Sequence, residues 1–143
     1  MTPEQRAKII ELPDIEVMAR TLFGEARNQG VEGLVAVSNV ILRRCDDLKK
    51  RYGVGITNVC LRDWQFSCWN DGDPNLPKLL VPPDGSVMYK CRIIAKMATD
   101  GLFVDNTDGA THYHHRLIFP WWVQYKGMIF TRQIKDHLFY VEI

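Results

Sequence analysis

The stretch Ile15–Arg27, IEVMARTLFGEAR, is an apolar helical pattern that ends on a carboxylate. Its apolar residues recur at helical spacing and predict one buried face, formed by Ile15, Met18, Ala19, Leu22, Phe23 and Ala26. At about 100° per residue, Glu25 lies about 95° from the centre of that face, which makes it a border residue. Partial burial disfavours a charged carboxyl, so we expect a raised pKa, the state that a general acid needs near neutral pH. A solvated glutamate at a helix end is the alternative interpretation.

The length and composition of the chain predict one domain over residues 1–143. With 143 residues, 46% of them hydrophobic and 24% charged, the chain has an ordinary globular composition and can bury one full core. A net charge of +1 argues against strong electrostatic binding of nucleic acid or anionic lipid. No apolar run approaches the roughly 18 residues of a membrane span, and the N-terminus lacks a signal-peptide core. We therefore expect a soluble monomer that is synthesised in the cytoplasm.

The N-terminal two thirds of the chain has the pattern of consecutive helices. Thr2–Gln5 has the order of a capping box and predicts a helix as far as about Leu12. Asp14 is expected to cap the helix of Glu25, and Gly30 to follow that helix in the left-handed conformation. A further helix is predicted from Val31 to about Lys50, with a charged, solvated tail that begins at Arg43. A short helix is predicted at Ile56–Arg62, with Thr57 or Asn58 as its cap. Another long helix is predicted to begin at Asp84 or Ser86 and to end at Asp100.

The remaining segments are irregular or β-like. Asn70–Pro83 is rich in proline and aspartate and is predicted to be an irregular loop. Met128–Ile134 and His137–Val141 flank Lys135-Asp136 and predict a β-hairpin. The fold class expected from these patterns is a mainly helical α+β domain with a small antiparallel β-hairpin.

Four cysteines, Cys45, Cys60, Cys68 and Cys91, show no C-x-x-C pair. Cys45 and Cys91 lie on apolar helical faces, which favours core thiols. A disulfide between Cys60 and Cys68, or a zinc site, are the alternatives.

Three segments carry unusual residues: Glu25–Arg27, with its carboxylate, and the aromatic and polar segments Gln65–Trp69 and Gly109–His115. Such residues suit a sugar-binding cleft, where aromatic rings stack on pyranose faces and polar side chains bind hydroxyls. The alternative is that the tryptophans belong to the core. His112, His114 and His115 could bind zinc with Cys68, but no H-E-x-x-H pattern supports this. Ser67 lacks the G-x-S-x-G context of a serine nucleophile.

In this order, the three segments resemble the SleB-like family of cell-wall hydrolases, which includes spore-cortex-lytic enzymes and phage endolysins. The resemblance spans about residues 14 to 141 and rests on the order and spacing of many short matches. They are Ala19-Arg20, Gly24–Arg27, Gly30, Gly33, Ala36-Val37, Asn39-Val40, Leu42-Arg43, Gln65–Ser67, Trp69, Gly101, Gly109–Tyr113, Pro120-Trp121, His137 and Phe139-Tyr140.

The resemblance implies a lysozyme-like α+β fold and an enzyme that cleaves the glycan strand of peptidoglycan between N-acetylmuramic acid and N-acetylglucosamine. The catalytic glutamate of the family falls on Glu25. The substrate-binding residues that we expect from the matched segments are Gln65, Phe66, Ser67, Trp69, Thr111, His112, Tyr113, Trp121 and Tyr140. No metal and no cofactor is implied. Lys135-Asp136 stands where the family more often has glycine, and the loop Asn70–Pro83 is particular to this chain.

For the mechanism, the favoured hypothesis is a lytic transglycosylase in which Glu25 acts first as acid and then as base. A hydrolytic muramidase or glucosaminidase would need a second carboxylate, about 5 Å from Glu25 in a retaining enzyme or about 6.5–9.5 Å away in an inverting one. The candidates for this second group are Asp63, Asp71, Asp73 and Asp108. A non-catalytic peptidoglycan-binding module and a zinc amidase are further alternatives. The expected setting is that of a phage endolysin which reaches the cell wall through a membrane lesion, with a bacterial homologue as the alternative.

Overall fold

The computed structural model describes residues 1–143 and consists of six α-helices and one antiparallel sheet. None of the helices has the length and apolar character needed to cross a membrane. The elements are α1 (Pro3–Ile10), α2 (Asp14–Ala26), α3 (Gly30–Cys45), α4 (Ile56–Leu61), α5 (Leu76–Leu80), α6 (Ser86–Thr99), β1 (His112–His115), β2 (Met128–Ile134) and β3 (His137–Glu142), with 3₁₀ turns at Ser67–Trp69 and Trp121–Gln124.

The helix starts agree with the sequence pattern at α1 but not at α2 or α4. The predicted capping box is confirmed, because Thr2 and Gln5 bond each other's backbone N–H. Asp14 was wrongly predicted as a cap: Pro13 occupies that position. The Asp14 carboxylate instead accepts a hydrogen bond from the Thr57 hydroxyl at 2.5 Å. The Thr57 hydroxyl therefore binds α2 and does not cap α4. The N-cap of α4 is Gly55, so the prediction of Thr57 or Asn58 as its cap was wrong.

Helix α2 lies at the centre of the fold, in contact with α3, α4, α5 and α6. Met18 and Leu22 are fully buried on its apolar face. Gly30, with φ +69°, reverses the chain into α3, as predicted. Helix α3 ends at Cys45 rather than near Lys50, because the charged segment that follows forms turns in which Asp47 accepts bonds from Arg51.

The predicted irregular loop Asn70–Pro83 contains the short helix α5. This helix forms because Leu76 and Leu79 are buried against the helical core, at 8% and 0% exposure. Pro77 stands in its first turn, where a missing N–H has no cost. Tertiary packing here overrides a sequence rich in turn-forming residues.

The sheet has three strands in the order β1-β3-β2. The predicted hairpin of β2 and β3 is confirmed, with Ile134 paired to His137 beside the turn. Strand β1 adds to the other edge of β3, pairing His112 with Tyr140 and His115 with His137. A small cluster holds the sheet against α3; it consists of Ala36, Val40, Ala110, Ile134 and Phe139.

All four cysteines are free thiols, and Cys60, Cys68 and Cys91 are buried. The interpretation as a core thiol is therefore confirmed for Cys91, whereas Cys45 is half-buried at the edge of the core. The Cys60–Cys68 disulfide is not formed.

Candidate active site

Glu25 lies at the last turn of α2 and is half-buried, as its border position predicted. The Tyr113 hydroxyl donates a hydrogen bond to Oε2 at 3.0 Å. The backbone N–H of Cys68 donates to Oε1 at 3.4 Å. The fold thus brings together the three segments that the sequence singled out.

A close approach of two backbones places Glu25 beside Cys68. The neighbouring Gly24 faces the 3₁₀ turn so tightly that an added Cβ would lie 2.7 Å from the Cβ and 2.8 Å from the Sγ of Cys68. The same Cβ would also lie 3.2 Å from Leu79 of α5. Only glycine lets the 3₁₀ turn reach the Glu25 carboxylate.

Burial raises the pKa of Glu25 above its ordinary value. The hydrogen bonds from Cys68 and Tyr113 favour the charged form and offset part of this effect, while the negative charge of Asp73 adds to it. Burial and the neighbouring Glu25 also raise the pKa of Tyr113, so its phenol stays a neutral donor. Glu25 therefore holds a proton more readily than an exposed glutamate, and the Tyr113 hydroxyl can donate to its carboxylate once that proton has left.

Arg44 places a buried cation beside this pair. Its side chain is 4% exposed; Nε donates to the Thr111 carbonyl at 2.7 Å and Nη1 to Oε1 of Gln65 at 3.3 Å. The guanidinium lies 5.0 Å from the Phe66 ring centre, and its charge interacts with Tyr113 and Glu25. The prediction of a solvated tail from Arg43 onward was wrong for Arg44. Its spacing from Val37 and Ile41, at helical period, was the signal that it faces inward.

A cleft of about 450 Å³ opens beside Tyr113. Four of the predicted substrate-binding residues line it, namely Gln65, His112, Tyr113 and Trp121. The Glu25 carboxylate is not part of the lining; its hydrogen-bond partner Tyr113 connects it to the cleft. Lining residues that the sequence analysis missed include Arg44, Arg51, Tyr52, Trp122 and Glu142.

Two predicted substrate-binding residues, Phe66 and Tyr140, are buried and do not line this cleft. Phe66 is 2% exposed and packs beneath Arg44 in the helical core. Tyr140 is 8% exposed, and its hydroxyl hydrogen-bonds His114 at 3.0 Å. Both support residues around the cleft, and their role in substrate binding stays a prediction.

Thr111, Trp69 and Ser67 also lie outside the cleft lining. Thr111 is buried, and its hydroxyl accepts the Glu142 N–H at 2.9 Å, so this side chain connects the segment before β1 to β3. Trp69 is buried except at the edge of a neighbouring cleft, and its indole N–H donates to Thr21 at 3.0 Å. Ser67 is exposed at the start of the 3₁₀ turn.

None of the four candidate aspartates lines the cleft beside Tyr113. Asp63 and Asp71 border the neighbouring cleft, and Asp108 pairs with Arg132 at 3.4 Å. Asp73 lies close enough for its charge to raise the Glu25 pKa. The carboxylate that does line the cleft, Glu142, pairs with Arg51 at 3.4 Å and accepts a hydrogen bond from Tyr52.

The histidines of β1 do not converge on a common point. No group of three or more potential metal ligands occurs in the structure. His114 bonds Tyr140 at 3.0 Å and the His115 carbonyl at 2.8 Å. Burial lowers the pKa of His112 to about 4, so this cleft residue is a neutral imidazole near neutral pH.

His137 gives the fold a predicted sensitivity to acid. It is 6% exposed, its Nδ1 has no hydrogen-bond partner, and burial lowers its pKa to about 4. His137 takes up a proton near pH 6.5 in the unfolded chain but only near pH 4 in the folded chain. As the pH falls from 6.5 to 4, the free energy of unfolding therefore decreases by about 3 kcal/mol. In His137→Phe, thermal unfolding followed from pH 7 to pH 4 should lose about half of the total pH dependence, because His112, whose pKa is also lowered to about 4, contributes the other half. The control His115→Gln, at a more exposed ring, should keep it, and an unchanged slope in His137→Phe would contradict the assignment.

Comparison with known proteins identifies the family and the fold of the chain. The profile of the Cell Wall Hydrolase family matches residues 28–140, a segment that begins just after Glu25. A comparison with curated protein sequences gave no significant match.

The fold is similar to two solved catalytic domains. One is that of the germination-specific lytic transglycosylase SleB from Bacillus anthracis, with a TM-score of 0.70 and 23% identity over 89% of this chain and 93% of that one. The other is that of the Bacillus cereus SleB protein, with a TM-score of 0.68 and 23% identity over 89% and 88% of the two chains. The predicted lysozyme-like α+β fold is confirmed. The chain belongs to the Cell Wall Hydrolase family and is an enzyme that degrades peptidoglycan.

Proposed function

We propose that this cell wall hydrolase is a lytic transglycosylase in which Glu25 serves as both general acid and general base. The observation that carries the proposal is the position of Glu25. It has a raised pKa and bonds Tyr113 at the edge of a cleft in which no unpaired carboxylate faces the substrate space.

In the first step, protonated Glu25 donates its proton to the glycosidic oxygen as the bond from that oxygen to the anomeric carbon of N-acetylmuramic acid breaks. The N-acetylglucosamine product leaves with its hydroxyl restored. Glu25 is now a carboxylate, and the donors aimed at it from Tyr113 and Cys68 stabilise this form.

In the second step, the 6-hydroxyl of the muramic acid attacks the anomeric carbon and gives its proton to Glu25. A 1,6-anhydro ring forms and Glu25 returns to its protonated state, so the cycle consumes no water. One carboxyl group is sufficient for both steps.

The environment of the other carboxylates favours this route over hydrolysis. Glycosidases that use two carboxylates place both beside the scissile bond. The Glu142 carboxylate is held by Arg51 and Tyr52, and Asp71 and Asp108 pair with the N-terminal amine and with Arg132. Asp73 accepts the Asn75 N–H, and Asp63 borders the neighbouring cleft. A hydrolytic muramidase or glucosaminidase would have to recruit one of these groups.

The cleft walls supply contacts suited to sugar rings. Trp121 is 68% exposed and offers an indole face, while Gln65 and His112 offer polar atoms for hydroxyl and acetamido groups. We assign Gln65, His112, Tyr113 and Trp121 to glycan binding. The proposal includes that the enzyme acts as a monomer.

The reaction class is tested by incubating purified sacculi with the protein. We expect turbidity to fall without new reducing ends and without inhibition by chelators. New reducing ends would support hydrolysis, free amino termini together with chelator inhibition would support a zinc amidase, and unchanged turbidity would support a binding module. The proposal extends to a phage endolysin made in the cytoplasm, for which expressing cells should lyse only after their membrane is permeabilised.

A further inference from the structure

Trp64 has two properties that the fold itself does not require. Its side chain is 83% exposed, so it contributes little to the core. Its backbone has φ +65°, in the left-handed region that bulky residues rarely adopt. Strained backbone conformations of this kind concentrate at functional sites, where the strain positions a side chain.

Trp64 stands between two clefts. It lines the cleft of about 450 Å³ beside Tyr113 and also a neighbouring cleft of about 430 Å³. Arg62 is likewise shared by both, while Asp63 and Asn70 add polar groups to the neighbouring cleft alone. A chain-like ligand that occupies both clefts must therefore pass over Trp64.

We propose that Trp64 is a stacking platform for the peptidoglycan glycan strand, and that the neighbouring cleft binds saccharide units of the same strand beyond those beside Glu25. This rests on the proposed function, since it takes the strand as the ligand. Exposed indole faces pack against the apolar faces of pyranose rings, and the surrounding polar groups suit hydroxyls and acetamides. The left-handed backbone holds the indole out at the ridge between the two clefts.

The test uses the inactive variant Glu25→Gln, so that binding is measured without cleavage. Adding Trp64→Gly should weaken binding to purified sacculi by about tenfold, as expected for the loss of one aromatic stacking contact. Binding of a single disaccharide-peptide, which fills one cleft only and can contact only part of the indole, should weaken less than binding of sacculi. Trp64→Phe should recover part of the binding to sacculi.

Thermal unfolding separates this role from a structural one. Glycine adopts a positive φ without strain, so Trp64→Gly should keep or raise the melting temperature. Phe119→Ala is the matched control: Phe119 is 84% exposed and lines neither cleft, and its loss should leave sacculus binding unchanged. Unweakened binding in Trp64→Gly, or a fall in melting temperature that accompanies the weaker binding, would overturn the inference. If the active enzyme forms no anhydro products, the proposed reaction fails independently, because the binding measurement does not depend on turnover.

Discussion

Replacing Glu25 by glutamine is expected to lower kcat by about 10²–10⁴-fold while raising the melting temperature at neutral pH. Glutamine keeps the shape: its oxygen can accept from Cys68 N–H and its amide can donate to the Tyr113 oxygen. It cannot give a proton to the leaving group. Because the folded-state pKa of Glu25 is raised, the wild type loses stability as pH rises through that pKa, and glutamine removes this loss.

Activity measured against pH gives a second readout on Glu25. Activity should decline as pH rises through its raised pKa, because the first step needs the protonated acid. Asp73→Asn is the control at a neighbouring carboxylate and should retain most of the activity. Full activity in Glu25→Gln would remove this residue from the mechanism, and loss of activity in Asp73→Asn would favour a two-carboxylate hydrolase.

Gly24→Ala is expected to destabilise the fold by about 1–3 kcal/mol and to lower activity by about 10²-fold. The added methyl would lie 2.7 Å from the Cβ of Cys68, so α2 and the 3₁₀ turn must move apart. That movement displaces Cys68 N–H from Glu25, and a shift of about 1 Å at a catalytic group is costly. Chemical denaturation and turbidity assays on the same preparation measure both effects.

Gly127→Ala is the matched control for Gly24→Ala. A Cβ at this position would meet only the Ile143 carbonyl, at the ordinary contact distance of 3.5 Å, and the backbone does not have a positive φ. Stability and activity should stay close to those of the wild type. If Gly24→Ala behaves like Gly127→Ala, the tight contact between α2 and the 3₁₀ turn does not position Glu25.

The parts of the fold that could be predicted from sequence are those set by local periodicity. The apolar spacing around Met18 and Leu22 fixed the buried face of α2 and placed Glu25 at its border. The alternating segments on either side of Lys135-Asp136 predicted the hairpin. Both predictions depend only on the spacing of residues that are close together in the chain, so they can be made from one sequence.

The rest depends on contacts between distant segments. Strand β1 has four residues, three of them histidines, and exists because β3 offers an edge with which His112–His115 can pair. Tyr140 and Phe66 looked like cleft residues but are buried, because packing decides which face of an element is covered. The Arg44–Thr111 bond joins residues far apart in the chain, and no local pattern indicates it.

The most direct test of the central claim is mass spectrometry of muropeptides released from purified sacculi in heavy-oxygen water. Transglycosylation by Glu25 and the muramic acid 6-hydroxyl predicts 1,6-anhydro ends, lighter than hydrolysed ends by one water and free of the oxygen label. Reducing ends that have gained a water and carry the label would contradict it.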